Sequence, residues 1–281
     1  MDEKIITNEK IRVFGKHLEN EERSYNTVSK YLRDVAAFQL WNGKNAVGKD
    51  NVIAYKQYLS DSGYKARSVN SMLASLNSFF AFMGWSELKV KALRLQREVY
   101  CKENKELTRE EYRRLCDTAK RKHNERLDLI LQTICGTGIR VSELQYITAE
   151  AIEKGEAVVS LKGKTRTVLI VKDLQKKLSR YIREHGISSG AVFVTRNGKP
   201  ISRTNIWREM KALCKEAKVD PAKVFPHNLR HLFARIFYGL DKDIAKLADI
   251  LGHSSIETTR IYIITTVSEH RKRMEAMHLI L

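Results

Sequence analysis

His227-Asn228-Leu229-Arg230, then Leu251-Gly252-His253-Ser254-Ser255, then Thr258-Thr259-Arg260-Ile261-Tyr262 place two histidines, an arginine and a tyrosine at short intervals in the last third of this chain. On a helix, His227 and Arg230 are three residues apart and share a face. Upstream, Gly136-Thr137-Gly138-Ile139-Arg140-Val141-Ser142-Glu143-Leu144 adds a second arginine, and Ser160-Leu161-Lys162-Gly163-Lys164-Thr165-Arg166 adds a lysine at a Lys-Gly-Lys turn between two short β-branched runs. Phosphoryl transfer needs cations around the non-bridging oxygens and a nucleophile held in line with its leaving group. Arg140 and Arg230 suit the first need because a guanidinium donates two parallel hydrogen bonds to phosphate and stays charged. His253 follows a glycine at what reads as a helix start, where free N–H groups also favour phosphate. The Tyr262 hydroxyl becomes a nucleophile once its proton is withdrawn, and Lys162 can donate a proton to a departing oxygen.

Each residue has a plainer reading. Single arginines and lysines are usually solvated surface. A tyrosine flanked by isoleucines, as Tyr262 is, is more often a core residue with a wet hydroxyl. His227 and His231, at i and i+4, mimic a zinc-protease helix, but Asn228 stands where that motif needs its glutamate.

Working outward, the 281 residues suffice for two domains. The net charge of +18 favours a polyanionic partner. Residues 1–100 carry 16 basic and 11 acidic side chains, so both parts of the chain are positive, as expected of a protein that touches a long polyanion with two domains. Cys101, Cys116, Cys135 and Cys214 form no Cys-x-x-Cys pair, so neither a disulfide framework nor a zinc site is expected. No apolar run approaches the roughly 20 residues of a membrane span and no leader is evident, which gives a cytoplasmic expectation.

Apolar residues at helical intervals predict four helices over 8–20, 24–40, 50–62 and 67–84, with Ser24 and Asp50 as N-caps and Asp61-Ser62-Gly63 as a stop. These give an N-terminal helical domain over 1–88. A charged segment, 89–107, reads as a linker. The capping-box-like Thr108-Arg109-Glu110-Glu111 opens a second domain, 108–281. It is expected to hold a helical region through Leu129–Cys135, a hairpin of 156–161 and 165–171, a further short strand at 191–195, and helices over about 203–218, 227–239, 242–250 and 255–262, with a terminal stretch from about 266. The fold class is therefore mainly α with a small β-sheet in the second domain.

In order and spacing these motifs resemble the tyrosine recombinase family of phage-integrase and Xer-like proteins. Its pattern is an arginine in a Thr-Gly-hydrophobic-Arg-hydrophobic-Ser-Glu-Leu segment, a lysine in a β-hairpin, His-x-x-Arg, Leu-Gly-His and a tyrosine about nine residues on, and the chain carries every part of it. The resemblance extends to the N-terminal helices, which look like the family's core-type DNA-binding domain. It implies that Tyr262 attacks a phosphodiester of double-stranded DNA to give a 3′-phosphotyrosyl link and a free 5′-hydroxyl, and that a 5′-hydroxyl from a partner duplex reseals the strand in integration, excision or inversion. Neither ATP, another cofactor nor a metal is implied. Arg140, Arg230 and His253 stabilise the pentacoordinate phosphate in this scheme. Lys162 protonates the leaving oxygen, His227 assists proton transfer with Tyr262, and Glu143 supports Arg140. The family's Gly-Lys-Gly reads here as Leu161-Lys162-Gly163, which leaves Lys164 as a phosphate contact. Lys65 and Arg67 stand as DNA contacts on the N-terminal side, against a plain reading as a solvated helix end.

The apolar tail with Met274, Met277, Leu279, Ile280 and Leu281 resembles the family's C-terminal helix, which docks on a neighbouring protomer in a tetramer on DNA; the alternative is a helix folded back on its own domain. A monomer is expected without DNA, and accessory DNA-bending or directionality proteins are possible partners. Two other functions fit the same residues: a nicking and closing enzyme like the type IB topoisomerases, and a non-catalytic DNA-binding protein on the same fold.

Overall fold

In the computed structural model, residues 3–95, 106–161, 163–195, 197–263, 271 and 274–277 are described. The chain divides into two compact units, residues 1–97 and 98–281. The first holds α1 (Asn8–Asn20), α2 (Tyr25–Asn42), α3 (Lys49–Asp61) and α4 (Ala66–Phe82). Their apolar stripes close around an aromatic core in which Phe14, Phe38, Phe79 and Phe80 are fully buried, with Phe14 edge-on to Phe79 at 5.3 Å and Phe38 to Tyr55 at 5.0 Å. Such pairs add to the area buried because ring edges and faces carry opposite partial charge.

Ser24 caps α2, its hydroxyl accepting from the Thr27 amide. Asp50 does not cap α3. Gly48 does, with the Asn51 side chain accepting from its N–H, and Asp50 falls in the first turn, where its charge still suits the helix dipole. Residues 89–95, expected as linker, are tied to α4. The side-chain amide of Asn77 exchanges two hydrogen bonds with the backbone of Val90, and that of Asn70 does the same with Leu93. These amides satisfy extended backbone that has no strand to pair with.

The second unit runs α5 (Arg109–Arg121), α6 (Glu125–Thr137), a 3₁₀ turn (Val141–Tyr146), α7 (Ala149–Lys154), β1 (Glu156–Leu161), β2 (Lys164–Leu169), α8 (Lys172–Glu184), α9 (Arg203–Ala217), α10 (Pro226–Asp241), α11 (Ile244–Leu251) and α12 (Ile256–Ile263). The capping box at Thr108 and Glu111 is present. β1 and β2 pair antiparallel with Leu161 opposite Lys164 as the last pair before the turn, in which Gly163 takes a φ of +72°. The run 191–195 is not a strand. Only single bridges form, Thr148 with Ala191 and Val194 with Pro200, because Val192 and Phe193 are spent as buried plugs of the domain core. α7 and α8 were not expected. Yet Leu174, Leu178 and Tyr181 recur at i, i+4 and i+7, and all three are buried on one face of α8.

Candidate active site

The site forms where two helix ends meet. Both α6 and α11 end in a glycine in the left-handed conformation, Gly138 and Gly252, each with a φ of +65°. Glycine is required twice over at each. A Cβ on Gly138 would lie 2.5 Å from the Phe233 ring, and one on Gly252 would lie 2.3 Å from Cδ of Arg166. The chain leaves α6 straight into Arg140 and leaves α11 straight into His253. His253 therefore follows a helix end rather than opening a helix, and α12 begins three residues later.

Arg230, on the inner face of α10, is 1% exposed, and no carboxylate pairs with it among the described residues. Its guanidinium donates from Nη1 to the Gly138 carbonyl and from Nη2 to the Leu251 carbonyl at 2.7 Å. It thus caps the C-terminal ends of α6 and α11 together. The negative ends of two helix dipoles are what make a buried guanidinium tolerable here. Burial, then Arg140, pull its pKa down to about 10, which leaves it charged at neutral pH. Nε is buried with no hydrogen-bond partner among the described residues.

Arg140 is held by Glu143. The carboxylate accepts from the Arg140 backbone N–H and from its Nη1, both at 2.9 Å, and from Nη2 of Arg166 at 2.7 Å. Glu143 is 1% exposed. Burial alone would raise its pKa, but the Arg140 amide and the two guanidiniums hold it below the usual carboxylate range. Three guanidiniums therefore stand against one carboxylate. A cleft of about 630 Å³ opens on Arg140, His227 and Arg230, with Arg203, Thr204 and Trp207 of α9 along its wall.

Tyr262 is 5% exposed, and its ring is enclosed by histidines. His231 stacks on it at 4.2 Å, His227 lies edge-on at 5.3 Å, His253 lies tilted at 5.2 Å, and the Arg230 guanidinium sits over its face at 5.9 Å. The Tyr262 hydroxyl is 3.4 Å from Nε2 of His227. Burial, then Arg230 and Arg140, depress the pKa of His227, which leaves a ring nitrogen lone pair available beside the phenol. The rings of the zinc-like pair His227 and His231 lie edge-on at 4.9 Å, and no third metal-holding side chain joins them among the described residues. Tyr181, a rival nucleophile by type, is buried in the domain core and stacked on His185.

Arg140, Glu143, His227, Arg230, His253 and Tyr262 are thus brought together. Lys162 lies outside the described residues, although the hairpin that carries it is placed. Lys164 is the first residue of β2. Lys65 caps α4 and Arg67 lies in its first turn, both exposed, in the other unit. Two site residues were missed. His231 walls the Tyr262 ring. Arg166 ties Glu143 of the 3₁₀ turn to the Ile250 carbonyl of α11, the latter at 2.8 Å. Its sequence signal is alternation: with Ala157, Val159 and Val168 facing the core, Arg166 opposite Val159 falls on the inward face, where an arginine needs a carboxylate.

The phage integrase family model matches residues 105–269, and that of the SAM-like N-terminal domain of phage integrases matches residues 11–87. The chain belongs to the phage integrase family. Tyrosine recombinase XerA of Pyrococcus furiosus is 33% identical over 100% of this chain and 98% of its own, and XerA of Thermococcus kodakarensis is 30% identical over 97% and 96%. Tyrosine recombinase XerD of Vibrio vulnificus is 26% identical over 90% and 89%. The fold of this family member is shared with solved structures at low identity. The Tn1549 transposon integrase in complex with a circular intermediate DNA superposes with a TM-score of 0.72 at 18% identity, covering 95% of this chain and 99% of that one. A lambda integrase dimer bound to a COC′ core site gives 0.72 at 17%, covering 92% and 95%, and a XerA recombinase 0.55 at 24%, covering 98% and 100%. The protein is an enzyme of the tyrosine recombinase type.

Proposed function

We propose that this tyrosine recombinase cuts and rejoins duplex DNA at a specific site through a 3′-phosphotyrosyl intermediate. The observation that carries this is the Tyr262 hydroxyl at 3.4 Å from Nε2 of His227, with Arg230 and His253 against the Tyr262 ring and Arg140 lining one cleft with His227 and Arg230. In the first step the Tyr262 oxygen attacks phosphorus and its proton passes to Nε2 of His227. The bond from phosphorus to the 5′-oxygen breaks, and Lys162 gives that oxygen a proton. Arg140, Arg230 and His253 take up the negative charge that grows on the equatorial oxygens. A 5′-hydroxyl from a second duplex then attacks the phosphotyrosine, its proton passing back to Lys162. The tyrosine leaves with a proton returned by His227, so one phosphodiester replaces another with no external energy source.

The partner is double-stranded DNA. Lys65 and Arg67 serve as backbone contacts on the N-terminal side and Lys164 as one at the hairpin, with a self-tetramer as the unit of exchange. An excess of positive charge in both units supports this, since phosphate contacts supply most of the affinity of such complexes. Accessory proteins that bend DNA or set direction fit the same scheme.

The test is covalent trapping on nicked duplexes taken from the gene's flanking DNA, read on a denaturing gel. The parent protein is expected to give a shifted band that Tyr262→Phe abolishes while still binding. Binding by both proteins with no adduct from either would overturn the reading in favour of a non-catalytic DNA-binding protein.

A further inference from the structure

Thr259 has no part in the chemistry above, yet it closes a hydrogen-bonded line that begins at Arg230. It lies on α12 one turn before Tyr262 and is 0% exposed. Its Oγ1 is 2.9 Å from Nδ1 of His253, and the other ring nitrogen, Nε2, is 3.0 Å from Nη2 of Arg230. A guanidinium offers donors only, so Nε2 must supply its lone pair to Arg230. The one proton of the neutral ring then sits on Nδ1 and is donated to Thr259. In this state His253 has no Nε2 proton to give to a phosphate oxygen. Charging the ring would supply one, but an imidazolium would have to form in a half-buried position beside Arg230, Arg140 and Arg166. The same burial and the same arginines push its pKa down to about 4.

A neutral route exists if the partner of Nδ1 can reverse its role. A carboxylate or carbonyl there accepts only and would fix the ring with its proton on Nδ1. A backbone N–H would fix the opposite form. A hydroxyl does both.

We infer that Thr259 is a positioning residue whose hydroxyl lets His253 exchange between two neutral tautomers, one that accepts from Arg230 without DNA and one that donates to the phosphate when DNA is bound. The inference rests on the phosphoryl-transfer reading of the site. No net proton is taken up: Nδ1 loses one to solvent, Nε2 gains one from solvent at the half-buried ring, and the Thr259 O–H turns to donate to Nδ1. Arg230, released from Nε2, turns the freed Nη2 proton to the same phosphate.

Two measurements test it. In full-length Tyr262→Phe protein, which holds DNA uncut, the ¹⁵N shifts of His253 are recorded with histidine-selective labelling, alone and on the nicked duplex, the signal being assigned by its loss in His253→Gln. The proton is expected on Nδ1 without DNA and on Nε2 with it. A proton on the same nitrogen in both states would overturn the inference, whatever any Thr259 variant does. In otherwise unchanged protein, Thr259→Val is expected to lower the rate of adduct formation roughly 100-fold at equal DNA binding, the scale of one lost transition-state donor, and Thr259→Ser to restore it to within a few-fold. Adduct formation by Thr259→Val at the parent rate, or no recovery in a folded Thr259→Ser, would equally overturn it. Failure of the parent itself to form an adduct would reject the phosphoryl-transfer reading instead.

Discussion

The N-terminal helical unit and the second unit are built on different logics. In the first, each helix carries its own instruction: an apolar stripe, a cap and a stop within some 18 residues, and a core of aromatic rings that any amphipathic neighbour would help to cover. In the second, the decisive contacts join residues far apart in sequence. Arg230 holds Gly138 and Leu251, and Arg166 holds Glu143 and Ile250. The lesson is that burial of area tolerates substitution by degrees, whereas a buried charge with fixed partners does not.

The sharpest break in that comparison is Tyr262→Phe. It removes one oxygen from a ring whose packing stays intact, so covalent adduct is expected to vanish entirely while melting temperature and DNA binding change little. Next comes Phe38→Ala in the first unit, where a fully buried ring is lost. It is expected to cost about 3–5 kcal/mol of stability, read by denaturant titration. Arg166→Gln, isolating one rivet of the second unit, is expected to slow adduct formation roughly 10- to 100-fold, the range for losing a group that orients another. It should do so with much less effect on duplex binding, and equal losses in both would show that Arg166 acts only on folding.

The fourth expectation concerns acid. Burial, then neighbouring charge, pushes His231 and His253 down to about 4 from 6.5. Between those values the unfolded chain takes protons that the folded unit refuses. Stability is therefore full above about pH 6.5 and is lost as pH falls toward about 4. A melting series across that window checks the sign, and His231→Phe, which keeps the stack on Tyr262, should flatten it. The smallest effect belongs to Lys65→Ala or Arg67→Ala on the exposed start of α4. Each is expected to reduce the salt dependence of duplex affinity by about one counterion, without changing adduct chemistry once the DNA is bound.

Legibility in the sequence followed the same division. The four N-terminal helices fall within two residues of where periodicity places them, because each pattern is local. Asp50 was misread as a cap because Gly48 and Asn51 share that task between backbone and side chain. In the second unit the hairpin was legible from its β-branched runs, but α7 and α8 were passed over, and Val192 and Phe193 look like a strand until the core that swallows them is known. His231 was visible only as half of a zinc motif that Asn228 spoils.

By itself the sequence determined the two-part, mainly helical architecture and picked out the candidate site residues, since periodicity and residue chemistry are properties of short stretches. Gly138 and Gly252 could also be read as turns. Only the tertiary structure decided that those two turns converge on one buried arginine and that Arg166 rivets the hairpin to them. It alone also decided that a threonine hydroxyl faces Nδ1 of His253. Those outcomes depend on which carbonyls, rings and hydroxyls meet in space, some of them across more than 80 residues of chain, and no local pattern encodes a distance.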